Sequence, residues 1–410
     1  MKIIKAKRIE QHLIKKSNPI WKTVDEYCLR SKNVYNYANY ILRQEFITTN
    51  KNTGKGNWIR HYDLDKMLQS EDCYKELGSQ AAQNILKVLD QNWKSFFVSI
   101  KDWKKTPNKY LGRPKLPNYK PKDGRQVFIL KNVQCAIADG MFRISFKPFN
   151  GYTVQTKVKG KLMQCRFVPR GSDYVMEIVY EIDVPDKRIE SSCIASIDLG
   201  IDNFATITNN IGLHPIVIKG GFIKSMNQYY NKKKSQLQSE LMLKNKQHWS
   251  NNLQKLTTKR NSKIKSWIHK ASKTVLNYCL ENQIDTLVCG YNKEWKQESK
   301  LSKKVNQKFI NIPYDMFIKQ LEYKCENVGI RFILTEESYT SGTSFLDGEL
   351  PCKENYDKSR RIYRGLFQSG RGLINADVNG SYQIMMKVFP NAFSEGIEGV
   401  GCHPVTMKIA

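Results

Sequence analysis

"IASIDLGIDNFATI", residues 194–207, reads as a buried strand, a tight turn and a second strand, and the second half of the chain is read outward from it. One residue resists that reading. Asp198 ends an apolar run, where an unpaired carboxylate is costly. Two further acidic sites share its place at the end of a core element. Glu336 and Glu337 follow the apolar run Phe332-Ile333-Leu334, and Asp377 opens a helical segment carried by Ile384, Met385 and Val388. Each acid also has an ordinary role open to it. Asp198 suits an Asx-turn ahead of Gly200, Asp377 an N-cap, and Glu336-Glu337 a solvated strand end.

The hairpin turns through Ile201-Asp202 and leads into a long basic helical stretch, 223–283. There Ile264, Trp267, Ile268, Ala271 and Val275 make a buried face, and Lys259, Arg260, Lys263 and Lys270 are candidates for nucleic acid. "IDTLVCGY" (284–291) is a buried strand, "YDMFIKQLEYKCENVG" a helix, "IRFILTEE" (330–337) a strand, and "INADVNGSYQIMMKVF" (374–389) a turn and helix. Hairpin, helices, strand, helix, strand, helix is an α/β order with adjacent parallel strands. Sites in such sheets gather beyond the carboxyl ends of the strands, so the three acids can converge there. Clustered carboxylates raise one another's pKa unless cations neutralise them. Oxygen ligands suit Mg²⁺, with Mn²⁺ as a substitute. Two such ions about 3.5–4 Å apart can cleave a phosphodiester with neither histidine nor cysteine.

The first half is organised differently. Residues 1–20 read as a strand and loop, and a helix runs from about Lys22 to Ile47. Beyond a polar connection at 50–61, a second helix follows Gly78, with Ser79 as N-cap and a bundle-type stripe of Ala82, Ile85, Leu89, Trp93 and Phe96. Gln80 and Gln83 stand on its exposed side, within reach of DNA. "KDWKKTPNKYLGRPKLPNYKPKDGRQ" (101–126) is either a solvated linker or a nucleic-acid loop. Lys104, Lys105, Arg113, Lys115 and Lys120 supply charge, and Trp103, Tyr110 and Tyr119 supply rings for stacking. Residues 127–186 alternate as short strands of a small barrel-like module.

The totals point the same way. Sixty-seven Lys and Arg against 38 Asp and Glu leave a formal charge of +29 on 410 residues, which calls for a polyanionic partner. No signal peptide opens the chain and no apolar run spans a membrane, so a soluble cytoplasmic protein with no membrane partner is expected. The ten cysteines are scattered without a C-x-x-C pair, which fits a reducing compartment and gives no zinc site.

"SIDLGIDNFATI", "GRPKLPNYK", "WIHKASKTVLNYCLENQIDTLVCGYNKEWKQ", "EESYTSGTSFLD" and "LINADVNGSYQI" together resemble the TnpB family. These are RNA-guided nucleases of insertion sequences, also called OrfB transposases and thought ancestral to type V CRISPR effectors. The resemblance covers nearly the whole chain. It implies a multidomain α+β and α/β protein: a wedge-like β-barrel from 1–20 and 125–190, with a helical recognition lobe at 21–124. A RuvC nuclease domain of RNase H fold follows at 191–337 and 373–390, with its helical insert at 223–283. A degenerate zinc-ribbon-like insert for target nucleic acid occupies 338–372, and a tail 391–410. It also implies a guide (omega) RNA, one protein monomer per RNA, and a nucleoid-associated cytoplasmic location. The target is double-stranded DNA with an adjacent motif, cut with Mg²⁺.

By position, Asp198 matches the first RuvC aspartate and Asp377 the last. Two departures stand out. The middle glutamate of many relatives closes the strand that here reads "TLVCGYN", and this chain has Gly290 in its place. The expectation is a relocated acid from the neighbouring strand end, Glu337 first and Glu336 second. Side-chain alternation lets only one of them face the site. The second departure is the loss of the zinc-ribbon cysteines: only Cys352 remains in 341–372, with Ser344 where a first ligand belongs. Arg360, Arg361, Arg364 and Arg371 remain to hold a DNA strand by its phosphates. The leading expectation is an RNA-guided DNA endonuclease. The alternatives are a guided DNA-binding repressor that does not cut, and an unguided RNase H-like transposase or nuclease.

Overall fold

The computed structural model describes residues 3–53, 58–149, 151–186, 192–292, 312–394, 396 and 399–409; the motif end at 293–297 lies outside them. They form two compact units, Lys5–Asp183 and the chain from Val184 onward together with Ile3 and Ile4, so that the first strand begins in one and continues in the other.

In the first unit, β1 (Ile3–Ile14) is followed by helices α1 (Trp21–Thr53), α2 (His61–Leu68), α3 (Asp72–Leu77) and α4 (Ser79–Lys105). The apolar stripes of α1 and α4 meet around Trp93, which is fully buried. Its indole N–H donates to Asn39 Oδ1 at 3.0 Å, and the rings of Phe46, Trp58 and Phe97 surround it. Gly78, not Ser79, is the N-cap of α4. The same residue closes α3 with φ of 87°, and its N–H donates to the Tyr74 and Lys75 carbonyls. A serine would adopt that left-handed backbone only at a cost.

The strands that follow are β2 (Phe128–Lys131), β3 (Cys135–Ala138), β4 (Met141–Ile144), β5 (Thr153–Gln155), β6 (Lys161–Arg170) and β7 (Asp173–Pro185). Among the described residues they make no closed barrel. One sheet has the order β1-β7-β6-β2 and a separate one the order β3-β4-β5. The break has a local cause. After β2 the chain makes a single 3₁₀ turn, Asn132–Gln134, with the Gln134 side chain accepting from Lys131 N at 3.1 Å. β3 therefore leaves the first sheet and pairs with β4. Phe128, Phe149 and Phe167 stack in the core.

The second unit is built on one six-stranded sheet. Its strands are β8 (Ile194–Leu199), β9 (Asn203–Asn209), β10 (Ile216–Lys219), β11 (Thr286–Gly290), β12 (Arg331–Thr335) and β15 (Val405–Thr406), in the order β12-β11-β8-β9-β10-β15. β8, β9 and β10 are antiparallel neighbours, whereas β11 runs parallel to both β8 and β12. Helices α5 (Gly221–Asn245) and α6 (Asn251–Glu281) follow β10, and α7 (Tyr314–Val328) precedes β12. Ala195, Ile197 and Leu199 of β8 pack with Ile268, Val275 and Phe317 of α6 and α7. A hairpin, β13 (Leu366–Ser369) and β14 (Gly372–Asn375), leads into the last helix, α8 (Ala376–Val388). Its Ile384 and Met385 pack with Ile194 and Val288 of the sheet. The alternate residues of β8, Ser196 and Asp198, therefore face α8.

Candidate active site

Asp198, Glu337 and Asp377 line one cleft of about 520 Å³ at the carboxyl ends of β8 and β12, together with Asn203, Asn292, Arg361, Arg364 and Gly380. A polar clamp holds the helix and strand that bring two of the acids together. Ser196 Oγ donates to the Ser381 carbonyl at 2.6 Å, Ser381 Oγ donates to the Ser196 carbonyl at 3.0 Å, and Thr208 Oγ1 lies 2.8–2.9 Å from both hydroxyls. All three residues are fully buried. Every hydroxyl has a partner, so the clamp fixes α8 on β8 and β9 with its desolvation cost offset by hydrogen bonds. One residue before Ser381, Gly380 removes the obstacle to close approach: a Cβ there would sit 3.0 Å from Asp198 Oδ2.

Asp377 is the first acid of α8 but not its cap. Asn375 takes that role, its side chain accepting from the Asp377 and Val378 N–H groups. The Asp377 carboxylate instead receives Asn203 Nδ2 on Oδ2 at 2.6 Å and faces Arg361 Nη2 at 3.5 Å on Oδ1. Asn203 is in turn oriented by Lys219 Nζ, which donates to its carbonyl oxygen at 2.7 Å.

Glu337 lies over Gly290. A Cβ built on Gly290 would fall 2.5 Å from Glu337 Oε1 and 2.7 Å from its Cγ, so the Glu337 side chain occupies the space a side chain at 290 would need. The Glu337 N–H donates to Asn292 Oδ1 at 2.9 Å, which sets the backbone at this strand end. Its Oε1 is buried with no hydrogen-bond partner among the described residues. Glu336 faces elsewhere: it is exposed, accepts from Ser338 N and Oγ, and pairs with Lys387 at 2.9 Å. Ser338 and Lys387 hold the Glu336 carboxyl below its usual range. Glu337 is pushed the other way, by burial first and then by the Asp198 charge. Asp198 is also raised, by burial and then by Asp377, with Arg361 opposing.

A buried carboxylate oxygen without a partner, beside a second raised carboxylate, is a donor set that fits a hard divalent cation. Among the described residues no three His, Cys, Asp or Glu side chains are close enough together to hold an ion. Asp377 commits its oxygens to Asn203 and Arg361 instead, and the Arg361 guanidinium supplies the opposite charge there.

The arginines of the insert divide by role. Arg360 is an internal brace. It donates to both Glu349 oxygens at 2.8 Å and to the Asn355 carbonyl at 2.8 Å. Glu349 also accepts from the N–H of Ser344, the position where a first zinc ligand was expected. Below it, Phe345 stacks on Tyr382 of α8 at 4.2 Å, and Asn379 bonds to Phe345 N and the Thr343 carbonyl. Arg360→Ala removes the charged cross-link and is expected to cost about 1.5–3 kcal/mol in denaturant unfolding, with new proteolytic cleavage in 345–365. Arg361 donates twice to the Arg364 carbonyl, and Arg364 pairs with Asp202 at 2.8 Å. Arg371 is exposed beside the turn between β13 and β14.

The other candidates lie away from the cleft. In the first unit Gln80, Lys104, Lys105, Arg113 and Lys115 are exposed. Gln83 is engaged internally, with Asp65 at 3.3 Å and Lys131 at 3.4 Å. The basic loop is strapped along α1: Asn39, Asn36 and Lys32 donate to the carbonyls of Pro117, Lys120 and Lys122, each at 2.9 Å. Two of its three rings are already committed, Tyr119 beneath the Arg43 guanidinium and Tyr110 to Asp102. Lys120 lies over the Tyr35 ring. In the second unit Arg260 braces α5, donating to Asn227 Oδ1 and covering the Tyr230 ring. Lys259, Lys263 and Lys270 are exposed along α6. The clamp of Ser196, Thr208 and Ser381 and the Lys219-Asn203-Asp377 chain were missed in the sequence, because neutral polar residues inside strands leave no periodic signal. No helix among the described residues is long and apolar enough to cross a membrane.

Residues 177–296 match the sequence profile of a probable transposase family, OrfB_IS605, and residues 314–384 that of the Cas12f1-like TNB domain. No curated protein matches the chain. Among solved structures, a Cas12f1-sgRNA-target DNA complex aligns over 89% of this chain and 82% of its own at 14% identity, with a TM-score of 0.54. A CRISPR-Cas12f ternary complex aligns over 88% and 81% at 13% identity, with a TM-score of 0.37. CasPhi-2 (Cas12j) bound to crRNA aligns over 98% and 99% at 10% identity, with a TM-score of 0.35. The first likeness establishes a shared mixed α/β multidomain architecture. The profile matches bear out the TnpB resemblance read from the motifs.

Proposed function

Starting from a chain with OrfB transposase and Cas12f1-like profiles, we propose an RNA-guided DNA endonuclease with Asp198, Glu337 and Asp377 as its three acids. The observation that carries this reading is the Glu337 side chain over Gly290, with its Oε1 buried and without a hydrogen-bond partner among the described residues, beside the Asp198 charge. An acid lost from one strand end has been supplied by the next. A strand order of three antiparallel neighbours flanked by two parallel strands supports the RuvC-type, RNase H-like reading of 191–337 and 373–390.

Asp198 and Glu337 would hold Mg²⁺, with Asp377 as a further ligand once an entering phosphate draws Arg361 away from it, and the ion would supply an activated water and stabilise the leaving oxygen of the phosphodiester. The chain's own residues do the rest. Asn203 keeps Asp377 oriented, and the Ser196-Thr208-Ser381 clamp fixes the spacing of Asp198 and Asp377. Arg361 and Arg364 line the cleft and offer guanidinium forks to the phosphates of an entering strand. In this reading the strands of 1–20 and 125–190 and the helices of 21–124 hold a guide RNA and its heteroduplex. Double-stranded DNA with an adjacent motif is the target, and base pairing supplies sequence specificity.

The test is to express the chain with its native flanking DNA, sequence the RNA that purifies with it, and offer a matching plasmid with Mg²⁺. A discrete RNA and a cut plasmid are the expected results. A discrete RNA with target binding but no cut contradicts the nuclease and leaves a guided repressor. Random RNA with cutting contradicts the guide.

A further inference from the structure

Beyond the acid cleft, the second unit carries a separate groove of about 680 Å³. Lys219, Lys263, Lys270 and Lys408 surround it, and no acidic residue is among its described lining. Its floor is aromatic. Phe222, at the start of α5, stacks on Trp267 of α6 with centroids 6.1 Å apart and planes at 11°, and Phe222 is 40% exposed. Trp267 is held from behind by Phe204 at 4.9 Å, so the platform is rigid. Four cations around a stacked pair of rings match the repeating chemistry of a single-stranded polynucleotide, phosphates outside and bases against a π-face.

The groove and the cleft are linked by one hydrogen bond between their linings. Lys219 lines the groove, and its Nζ donates to Asn203, which lines the cleft and holds Asp377. Lys219 therefore places a phosphate-binding cation between the acids and the groove. We propose that this groove takes the single-stranded flank of the DNA strand being cut, with Trp267 and Phe222 as the base platform. The proposal rests on the nuclease reading above, and it assigns Lys219 and Lys408 to the strand with Lys263 and Lys270.

The test uses the full chain, as purified, in EDTA so that nothing is cut. A fluorescein-labelled deoxythymidine oligonucleotide of about 15 nucleotides is titrated by anisotropy over a range of salt. The parent is compared with Phe222→Ala and with Lys263→Ser/Lys270→Ser, each first shown to melt like the parent. Phe222→Ala is expected to weaken binding about 5–10-fold. The double lysine variant is expected to lower the salt slope by about 1.4, near 0.7 for each phosphate no longer neutralised. Oligonucleotides carrying 5-iododeoxyuridine should cross-link to Trp267 or Phe222. Parent-like binding by both variants, or cross-links elsewhere, overturns the groove. Cross-linking by the matching uridine RNA but not by DNA overturns the assignment to the cut strand. Cleavage is scored separately on a plasmid. A parent that cuts while both variants bind unchanged sinks the groove alone. A parent that cross-links at Trp267 yet never cuts sustains the single-strand site and sinks the nuclease reading.

Discussion

Asp198→Asn is expected to abolish cleavage while raising the melting temperature of the metal-free protein. The two effects share one cause. Burial and the Asp377 charge lift the Asp198 carboxyl above its ordinary range, so its ionised form is a liability to the fold until a cation is bound. The neutral amide removes that liability, a gain of about 1–3 kcal/mol at neutral pH. The activity falls by three or more orders of magnitude, since loss of several kcal/mol of charge stabilisation scales at about 1.4 kcal/mol per tenfold. The pH dependence follows with a definite sign. A carboxyl raised on folding binds more protons in the folded than in the unfolded chain above about pH 4. Its contribution is therefore retained at low pH and lost as pH climbs through the raised pKa. Metal-free parent protein should lose stability relative to Asp198→Asn between about pH 4 and the raised value of about 7, and Mg²⁺ should return it. Thermal melts of both proteins with EDTA and with Mg²⁺ across that range measure it. A difference that does not change with pH contradicts the shift.

Gly290→Glu should be both destabilised and inactive, and Glu337→Gly should restore much of what it loses. At Gly290 a Cβ meets Glu337 Oε1 and Ile384 Cδ1, each at 2.5 Å. Overpacking of this kind costs about 1–3 kcal/mol, and the new carboxylate adds charge to a site that already holds two raised ones. Removing the Glu337 side chain empties the space, leaving only the flexible end of Ile384 to shift. The double variant then carries its middle acid one strand over, at the position the TnpB resemblance implies. Melting curves and plasmid cleavage of the two single variants and the double variant form a cycle. Strong positive coupling is expected, because the two side chains compete for one volume. Additive losses would show that positions 290 and 337 do not share a role.

The fold was legible where apolar runs are periodic and punctuated. The hairpin from 194 to 207, the strand at 286–290 and the helix at 314–328 all stand within a few residues of where the sequence places them. The meeting of Asp198, Glu337 and Asp377 at one cleft was legible for a related reason: a charge that ends a buried run is conspicuous. Strand alternation set Glu336 and Glu337 on opposite faces without choosing between them, and in the structure Glu336 pairs with Lys387 while Glu337 lies beside Asp198. Other features left no such trace. The short helices α2 and α3 lie between the connection read at 50–61 and the helix read after Gly78, a stretch to which the sequence assigned no element. The closed barrel was expected because short strands look alike in sequence. Their pairing depends on a 3₁₀ turn at 132–134 that no periodicity marks. The basic loop reads as free in sequence, yet three side chains of α1 strap its backbone down. Arg260 reads as a nucleic-acid contact but serves Asn227 and Tyr230, because side-chain partners distant in sequence are invisible to composition.

The central claim is that the middle acid moved from position 290 to Glu337. Its most direct test is cleavage of a matched plasmid by Glu337→Gln and Glu336→Gln side by side, with guided binding measured on the same samples. The account predicts that Glu337→Gln binds target as the parent does and does not cut, whereas Glu336→Gln cuts at close to the parent rate. Normal cutting by Glu337→Gln would contradict it.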